Sequence, residues 1–258
     1  MIDQFGNRGI LHPHKAKFEL TRHKPTPDAA FFVDRYWLIN WDLSEPFIQE
    51  TLPYPCINMV FERGKSGIFG IETGKYTRKL EGKGQVFGIK FKPGAFHPFW
   101  CKPVSQLTNR AIAIEDVFGV NDLEQMLFSL PDVPEQIKRV EALLLTKNPM
   151  LDEAILTVSR IIESIASDWS IINVDDVVAR FHMSKRTLQR LFSQYVGVSP
   201  KWVIQRYRLQ EAAERLANGE YKDWVRLALD LGYFDQAHFI KDFKNIIGVT
   251  PAEFVRVE

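Results

Sequence analysis

Arg186, Gln189, Arg190 and Ser193 fall at i, i+3, i+4 and i+7, the spacing that brings side chains onto one face of a helix. Their types matter as much as their spacing. A guanidinium presents a fork of N–H donors that matches the O6 and N7 acceptors of guanine, and a glutamine amide matches the N6 and N7 edge of adenine. With Lys185 beside them, this face could read base edges and hold phosphates; the competing reading is a solvated helix face. Gln236, Ile240, Lys241 and Lys244 form a second, less basic set. Reactive chemistry has no comparable basis. Cys56 and Cys101 lack the paired spacing of a zinc site or a disulfide framework and read as buried structural thiols. His12 and His14 are the only close histidines, and no converging histidine and carboxylate set appears, so neither metal nor cofactor is expected. Without a glycine-rich phosphate loop, or a nucleophile beside its base, the chain does not read as an enzyme.

A repeat must position these faces. Ser184-Lys-Arg-Thr-Leu-Gln-Arg-Leu-Phe-Ser-Gln-Tyr-Val-Gly-Val-Ser-Pro200 aligns without a gap with Asp235-Gln-Ala-His-Phe-Ile-Lys-Asp-Phe-Lys-Asn-Ile-Ile-Gly-Val-Thr-Pro251. Ser184 and Asp235 suit N-caps, because a side-chain oxygen there can accept from an orphan N–H of the first turn. Leu188, Leu191, Phe192 and Tyr195 recur at helical spacing, and Phe239, Phe243 and Ile246 match three of them. Gly197 and Gly248 suit a left-handed helix end, and Pro200 and Pro251 prevent continuation. Another helix precedes each copy. Asn173 with Asp176 makes a variant capping box before the stripe Val174, Val177, Val178 and Phe181, while Trp224, Leu227, Ala228 and Leu231 run up to Gly232. Helix, tight turn and capped helix make a helix-turn-helix unit, here present twice. Pro200 to Ala217 reads as a connecting helix with Trp202, Val203, Tyr207, Ala212 and Leu216 on its apolar side. Its length of roughly 27 Å compares with about 34 Å between successive major-groove faces.

The formal net charge is only +1, but charge is sorted locally. From Val177 to Gln210 stand Arg180, Lys185, Arg186, Arg190, Lys201, Arg206 and Arg208, with no Asp or Glu. Arg186, Gln189 and Arg190 are assigned to bases; Ser193, Lys244, Arg206 and Arg208 go to phosphate or solvent. Asp242 is expected to oppose DNA, and His182 and His238 to serve turns or packing.

On the run Ser184, Arg186, Leu188, Arg190 and Phe192, with Gly197-Val-Ser-Pro200, Arg208-Leu209 with Ala212, and Gly232-Tyr-Phe234 with Phe239, Phe243 and Gly248, residues 168–258 resemble the DNA-binding domain of AraC/XylS-family transcription regulators. The resemblance implies a regulator, and usually an activator, whose partners are double-stranded promoter DNA and RNA polymerase. Lys241 replaces the usual arginine and His238 a frequent tyrosine, which blurs the target site.

Upstream, Phe31–Trp41, Ile57–Phe61, Gly67–Ile71, Lys75–Leu80 and Gln85–Phe91 read as strands punctuated by Arg63–Gly67, Gly82-Lys83-Gly84 and Pro93-Gly94. Helices follow over Val120–Ser129, Pro134–Thr146 and Asp152–Ala166. The resulting expectation is an α+β multidomain chain: a β-rich cupin-like barrel over 1–117, a helical linker or dimerisation segment over 118–167, and an all-α domain with two helix-turn-helix units over 168–258. The cupin-like form is what the resemblance implies, as is a barrel that senses a small-molecule effector. Trp37, Trp41, His97 and Trp100 could line its pocket, though aromatics in a barrel are commonly core. Ile137, Val140, Leu143 and Leu144 form a stripe for packing on the barrel or for a homodimer. No apolar run approaches bilayer length, and the start at Met1 lacks the pattern of a signal peptide, so a cytoplasmic protein without a membrane partner is expected. A DNA-repair methyl acceptor would need an activated thiolate, and neither cysteine has a recognisable activating setting. A protein adaptor that never touches DNA would show no salt-dependent DNA affinity.

Overall fold

The computed structural model describes residues 17–150, 152–220 and 224–257, so His12 and His14 lie outside the described residues. Strands β1 (Glu19–His23), β2 (Val33–Thr51), β3 (Asn58–Phe61), β4 (Gly67–Phe69), β5 (Tyr76–Phe91) and β6 (Ala111–Ile112) form one antiparallel sheet in the order β1-β2-β5-β3-β4-β6. The long β2–β5 ribbon is its spine, and alternation sorts its two faces. Tyr36, Leu38, Phe87, Ile89 and Phe91 enter the main core, whereas Trp37, Ile39, Trp41 and Val86 form a separate cluster on the other side. Gly82-Lys83-Gly84, expected as a turn, lies inside β5. The reason is steric: a Cβ at Gly84 would run into the Trp41 ring, and one at Gly88 into Trp37, so these glycines admit tryptophans from the neighbouring strand.

The expected barrel is an open sheet among the described residues. β1 and β6 form its two edges, and β4 and β6, at 3 and 2 residues, are too short to carry the sheet round to closure. Helices α1 (His97–Trp100), α2 (Glu115–Phe118), α3 (Leu123–Phe128), α4 (Val133–Thr146) and α5 (Glu153–Ser167) cover one face. Asp132 and Asp152 cap α4 and α5 by accepting from the N–H groups of Glu135 and Ile155. The stripe on α4 faces inward, with Val140, Leu143 and Leu144 buried. Glu141 pins it there, accepting from the Tyr36 hydroxyl at 3.0 Å and the Thr26 hydroxyl at 2.8 Å.

The remaining helices are α6 (Val174–Phe181), α7 (Lys185–Leu191), α8 (Pro200–Ala217), α9 (Trp224–Asp230), α10 (Gln236–Ile247) and α11 (Pro251–Val257). The main core does not stop at residue 167. It runs from Phe32 through α5 to Val177, Leu188, Phe192 and Ile204, so the sheet and the first helix-turn-helix unit share one interior. The second unit has its own core of Leu209, Ala212, Leu216, Leu227, Phe239 and Phe243, joined by Leu52 from the sheet side. No helix among the described residues is long and apolar enough to cross a membrane.

Candidate nucleic-acid interface

Two capped helices carry the reading faces. The Asn173 and Asp176 capping box opens α6, and His182 ends it in the left-handed region at φ 50°. Ser184 Oγ then accepts from Thr187 N at 3.1 Å to open α7, and Asp235 accepts from His238 N at 2.7 Å to open α10. The helix ends are equivalent too, with Gly197 at φ 105° and Gly248 at φ 95°. Pro200 and Pro251 serve as the first residues of α8 and α11. With 18 residues α8 is about 27 Å long; α7 leads into it through the turn over Phe192–Val196, and α10 packs along it, with Gln205 Nε2 donating to Asp242.

Lys185, Arg186, Gln189 and Arg190 are all exposed on α7, while Leu188 and Phe192 face inward. Lys185 lies 2.6 Å from Asp175, an exposed pair. Ser193 is exposed as well, and its hydroxyl donates to Ser105 Oγ at 3.1 Å. On α10, Lys241 and Lys244 are exposed, Gln236 is half-buried, and Ile240 is half-buried against the second core, which corrects its outward placement. Asp242 also turns inward, accepting from Gln205 Nε2 at 2.7 Å and from the Tyr233 hydroxyl. His238 stands 3.4 Å from Asp242 and edge-on to Tyr233.

Arg206 and Arg208 do not meet phosphate or solvent. They are 1% and 2% exposed. Arg206 Nε donates to the Pro53 carbonyl at 2.7 Å, and its guanidinium lies 4.9 Å from the Tyr54 ring centre and 4.6 Å from that of Tyr207. Burial pushes its proton affinity down and that of the Tyr207 phenol up. Arg208 donates to the carbonyls of Ile165, Ile171 and Asp168. Arg180 pairs with Asp168. The cationic stripe therefore narrows to Lys185, Arg186, Arg190 and Lys201, all exposed. Phe234, part of the Gly232-Tyr-Phe234 run but given no role from sequence, is 96% exposed in the turn just before α10.

Residues 177–256 match a family described as a helix-turn-helix domain, of the AraC type. Residues 21–113 match a domain of unknown function, DUF6597. An uncharacterized HTH-type transcriptional regulator of Haemophilus influenzae is 32% identical over 94 residues, which is 36% of this chain but only 30% of that protein. XylDLEGF operon transcriptional activator 1 of Pseudomonas putida is 30% identical over 76 residues, 29% of this chain and 23% of the relative. The probable transcription factor PqrA of Proteus vulgaris is 32% identical over 83 residues, 32% of this chain and 67% of the relative. The chain belongs to the AraC/XylS family.

That family consists of transcription regulators, not enzymes. In this AraC/XylS-family chain Cys56 is buried, and burial pushes its thiol up, the reverse of activation. Cys101, expected to be buried, is exposed.

Both reading helices of this AraC/XylS chain end against the sheet side. A Cβ at Gly197 would meet the Val104 carbonyl at 3.1 Å, and one at Gly248 would meet the Lys75 side chain. Beyond Leu191 the first reading helix widens into a π turn over Phe192–Val196, whose residues meet the segment from His97 to Thr108. Gln194 Nε2 lies 2.6 Å from His97 Nε2, Tyr195 packs tilted against that ring, and the Thr108 hydroxyl donates to the Gly197 carbonyl at 2.5 Å. Tyr195 donates to Asp152, and burial with that carboxylate pushes its phenol up to about 12. The connecting helix is tied by Trp202 Nε1, which donates to the Thr73 carbonyl at 3.2 Å.

The opposite face of the sheet holds a cavity of about 310 Å³. Of the four aromatic residues proposed to line a pocket, Trp37 and Trp41 do so. His97 and Trp100 do not; α1 sits on the far face of the sheet, where His97 packs on Tyr195. Arg22, Arg35, Arg78 and Lys90 also line the cavity and were missed. Alternation from Arg35 through Trp37 and Ile39 to Trp41 was the available signal.

Proposed function

We propose that this chain is a sequence-specific DNA-binding transcription regulator that reads two adjacent major-groove segments of promoter DNA, one with α7 and one with α10. The observation that carries the reading is the pair of equivalent, capped helices joined through one long helix, the first with Arg186, Gln189 and Arg190 exposed together. Those three read bases; Lys185, Lys241 and Lys244 hold phosphates, and Gln236 adds an amide contact at the second segment. Regulation by activation is supported by the name of the Pseudomonas putida relative, and contact with RNA polymerase is the route we infer for it. Residues 1–117 form a sensor that takes a small effector in the cavity beside Trp37 and Trp41, and 118–167 link it to 168–258. Dimerisation is the second role open to the sheet domain. The site of action is the cytoplasm.

The test is selection of bound sequences from a random DNA pool by the full-length chain, at two salt concentrations. A bipartite motif with centres about one helical turn apart is the expected result. Enrichment of a single short half-site would overturn two-headed reading, and affinity without salt dependence would remove the phosphate contacts.

A further inference from the structure

The two reading helices differ in what they offer to a base edge. Aligned through the repeat, Arg186, Gln189 and Arg190 of α7 correspond to Ala237, Ile240 and Lys241 of α10. Two guanidinium forks and an amide thus become a methyl group, a half-buried isoleucine and a single ammonium, of which Ala237 and Lys241 are exposed. No arginine stands anywhere in α10. Hydrogen bonds to bases alone would leave the second segment thinly specified.

The turn in front of the helix supplies something else. Met183, which precedes the Ser184 cap of α7, packs against the main core. Its counterpart Phe234, which precedes the Asp235 cap of α10, is almost wholly exposed, more so than any other large apolar side chain among the described residues. An apolar residue just ahead of a cap ordinarily packs on one in the first turns of the helix, here Phe239. Tyr233 takes that contact instead: its ring stands edge-on to the buried Phe239 at 5.4 Å, and its hydroxyl donates to Asp242. The Phe234 ring, left in water, contributes little to folding. It stands at the N-terminal end of α10, the end that meets base edges when such a helix docks in the major groove. Lys241 and Lys244 lie exposed farther along that helix, and the adjacent Asp235 carboxylate is engaged by His238 N.

We propose that Phe234 is a specificity-determining residue of the second reading head, its ring packing against the C5-methyl group of a thymine in the major groove. Thymine alone among the four bases presents a methyl group there, and phenylalanine is one of the side chains suited to it. This assignment deepens the function proposed above and rests on it.

The test is a competition titration of the full-length chain on its selected DNA, with each thymine of the motif replaced in turn by deoxyuridine, which keeps the base pair and removes only the methyl group. Loss of one buried methyl group is expected to weaken wild-type binding about fourfold at one position, in the half of the motif whose preference Arg190→Ala leaves intact. Phe234→Ala should bind the thymine DNA about fourfold more weakly or worse and should no longer distinguish thymine from deoxyuridine at that position. Phe234→Leu should keep part of the distinction, and both variants should melt in urea as wild type does, because the ring is exposed. A deoxyuridine penalty that persists in Phe234→Ala would belong to the duplex or to another side chain and would overturn the assignment. Wild-type indifference to every methyl group in that half of the motif, or a half without thymine, would overturn it as well. Unchanged DNA affinity of Phe234→Ala would send the ring to a protein partner instead. If no sequence is selected at all, the DNA-reading function itself fails, and thymine recognition fails with it; a selected motif that ignores the methyl group sinks this assignment alone.

Discussion

Arginine plays two opposite parts in this chain, and the difference lies in which helix face each side chain occupies. Arg190 is exposed on α7 beside Gln189, where its guanidinium is free to meet a guanine edge. Arg190→Ala should weaken binding to the selected DNA by about 1–3 kcal/mol and relax preference at one base position, read by repeating the selection with the variant. An unchanged preference would place base reading elsewhere. Arg206 lies three residues from both Val203 and Leu209, and Arg208 four residues from both Ile204 and Ala212; all four neighbours are buried. The helical period therefore put both arginines on the inward face of α8, and a reading by residue type alone, which sent them to phosphate, lost to a reading by position. Arg206 Nη1 and Nη2 have no hydrogen-bond partner among the described residues, so its guanidinium is held by tyrosine rings and one carbonyl. Arg206→Ala should cost about 3 kcal/mol of stability by leaving a hole between Tyr54 and Tyr207. It should leave the salt dependence of DNA binding unchanged, whereas loss of a phosphate contact at Lys244 would lower the slope by about 1. A lower slope for the Arg206 variant would show that its charge does reach DNA.

Elements were legible wherever their signals are local. The caps at Asn173, Ser184 and Asp235 and the left-handed glycines at 197 and 248 stand where their chemistry requires. Gly82-Lys83-Gly84 was not legible as strand, because what it accommodates, the Trp41 ring, comes from the neighbouring strand. The repeat also hides an asymmetry that only tertiary packing reveals. An alanine at either helix end carries the left-handed strain of about 1–2 kcal/mol. At Gly248 the added Cβ meets the flexible end of Lys75, but at Gly197 it meets the backbone carbonyl of Val104, which cannot swing away. Gly197→Ala should therefore destabilise the chain more than Gly248→Ala in parallel urea melts; equal costs would mean that the Val104 contact yields freely. The π turn adds a pH signature. Burial holds the His97 ring below the ordinary histidine range, against an opposing pull from Asp152. The unfolded chain then takes up its proton first, so the contribution of His97 is complete above about pH 6.5 and lost as pH falls through the lower folded value. His97→Gln should flatten the difference between urea melts made on either side of that pH, and an undiminished pH slope would assign the effect to other groups.

At the scale of the whole molecule, the boundary proposed at residue 168 does not divide the interior, since one core runs from the sheet into the first helix-turn-helix unit. Sequence periodicity assigns each stripe to a buried face without saying which neighbour buries it, and this is why the shared core and the open sheet were not foreseen. The shared core has a mechanical consequence. The first reading helix is held at its end by Ser105 and Thr108, the connector by Pro53 and Thr73, and the second unit by Leu52 in its core. Leu52, Pro53 and Tyr54 also line the cavity, so the same few residues touch the cavity and the frame of the two helix-turn-helix units. A rod alone would fix the distance between the two units only as well as its joints are stiff; attachment of both units to the sheet side restricts that freedom. Trp202→Phe combined with Thr108→Val deletes two of these ties, the Trp202 Nε1 bond to Thr73 and the Thr108 bond to Gly197, while keeping apolar bulk. In the full-length chain this double variant should keep the preferred half-sites but tolerate insertion or deletion of a base pair between them with a smaller loss of affinity than wild type. The measurement is a binding series on DNA in which only the spacing is changed. Identical spacing curves would mean that α8 alone sets the geometry; a broader curve with unchanged half-sites would mean that the sheet domain holds the two heads in register, leaving the cavity wall placed to adjust it.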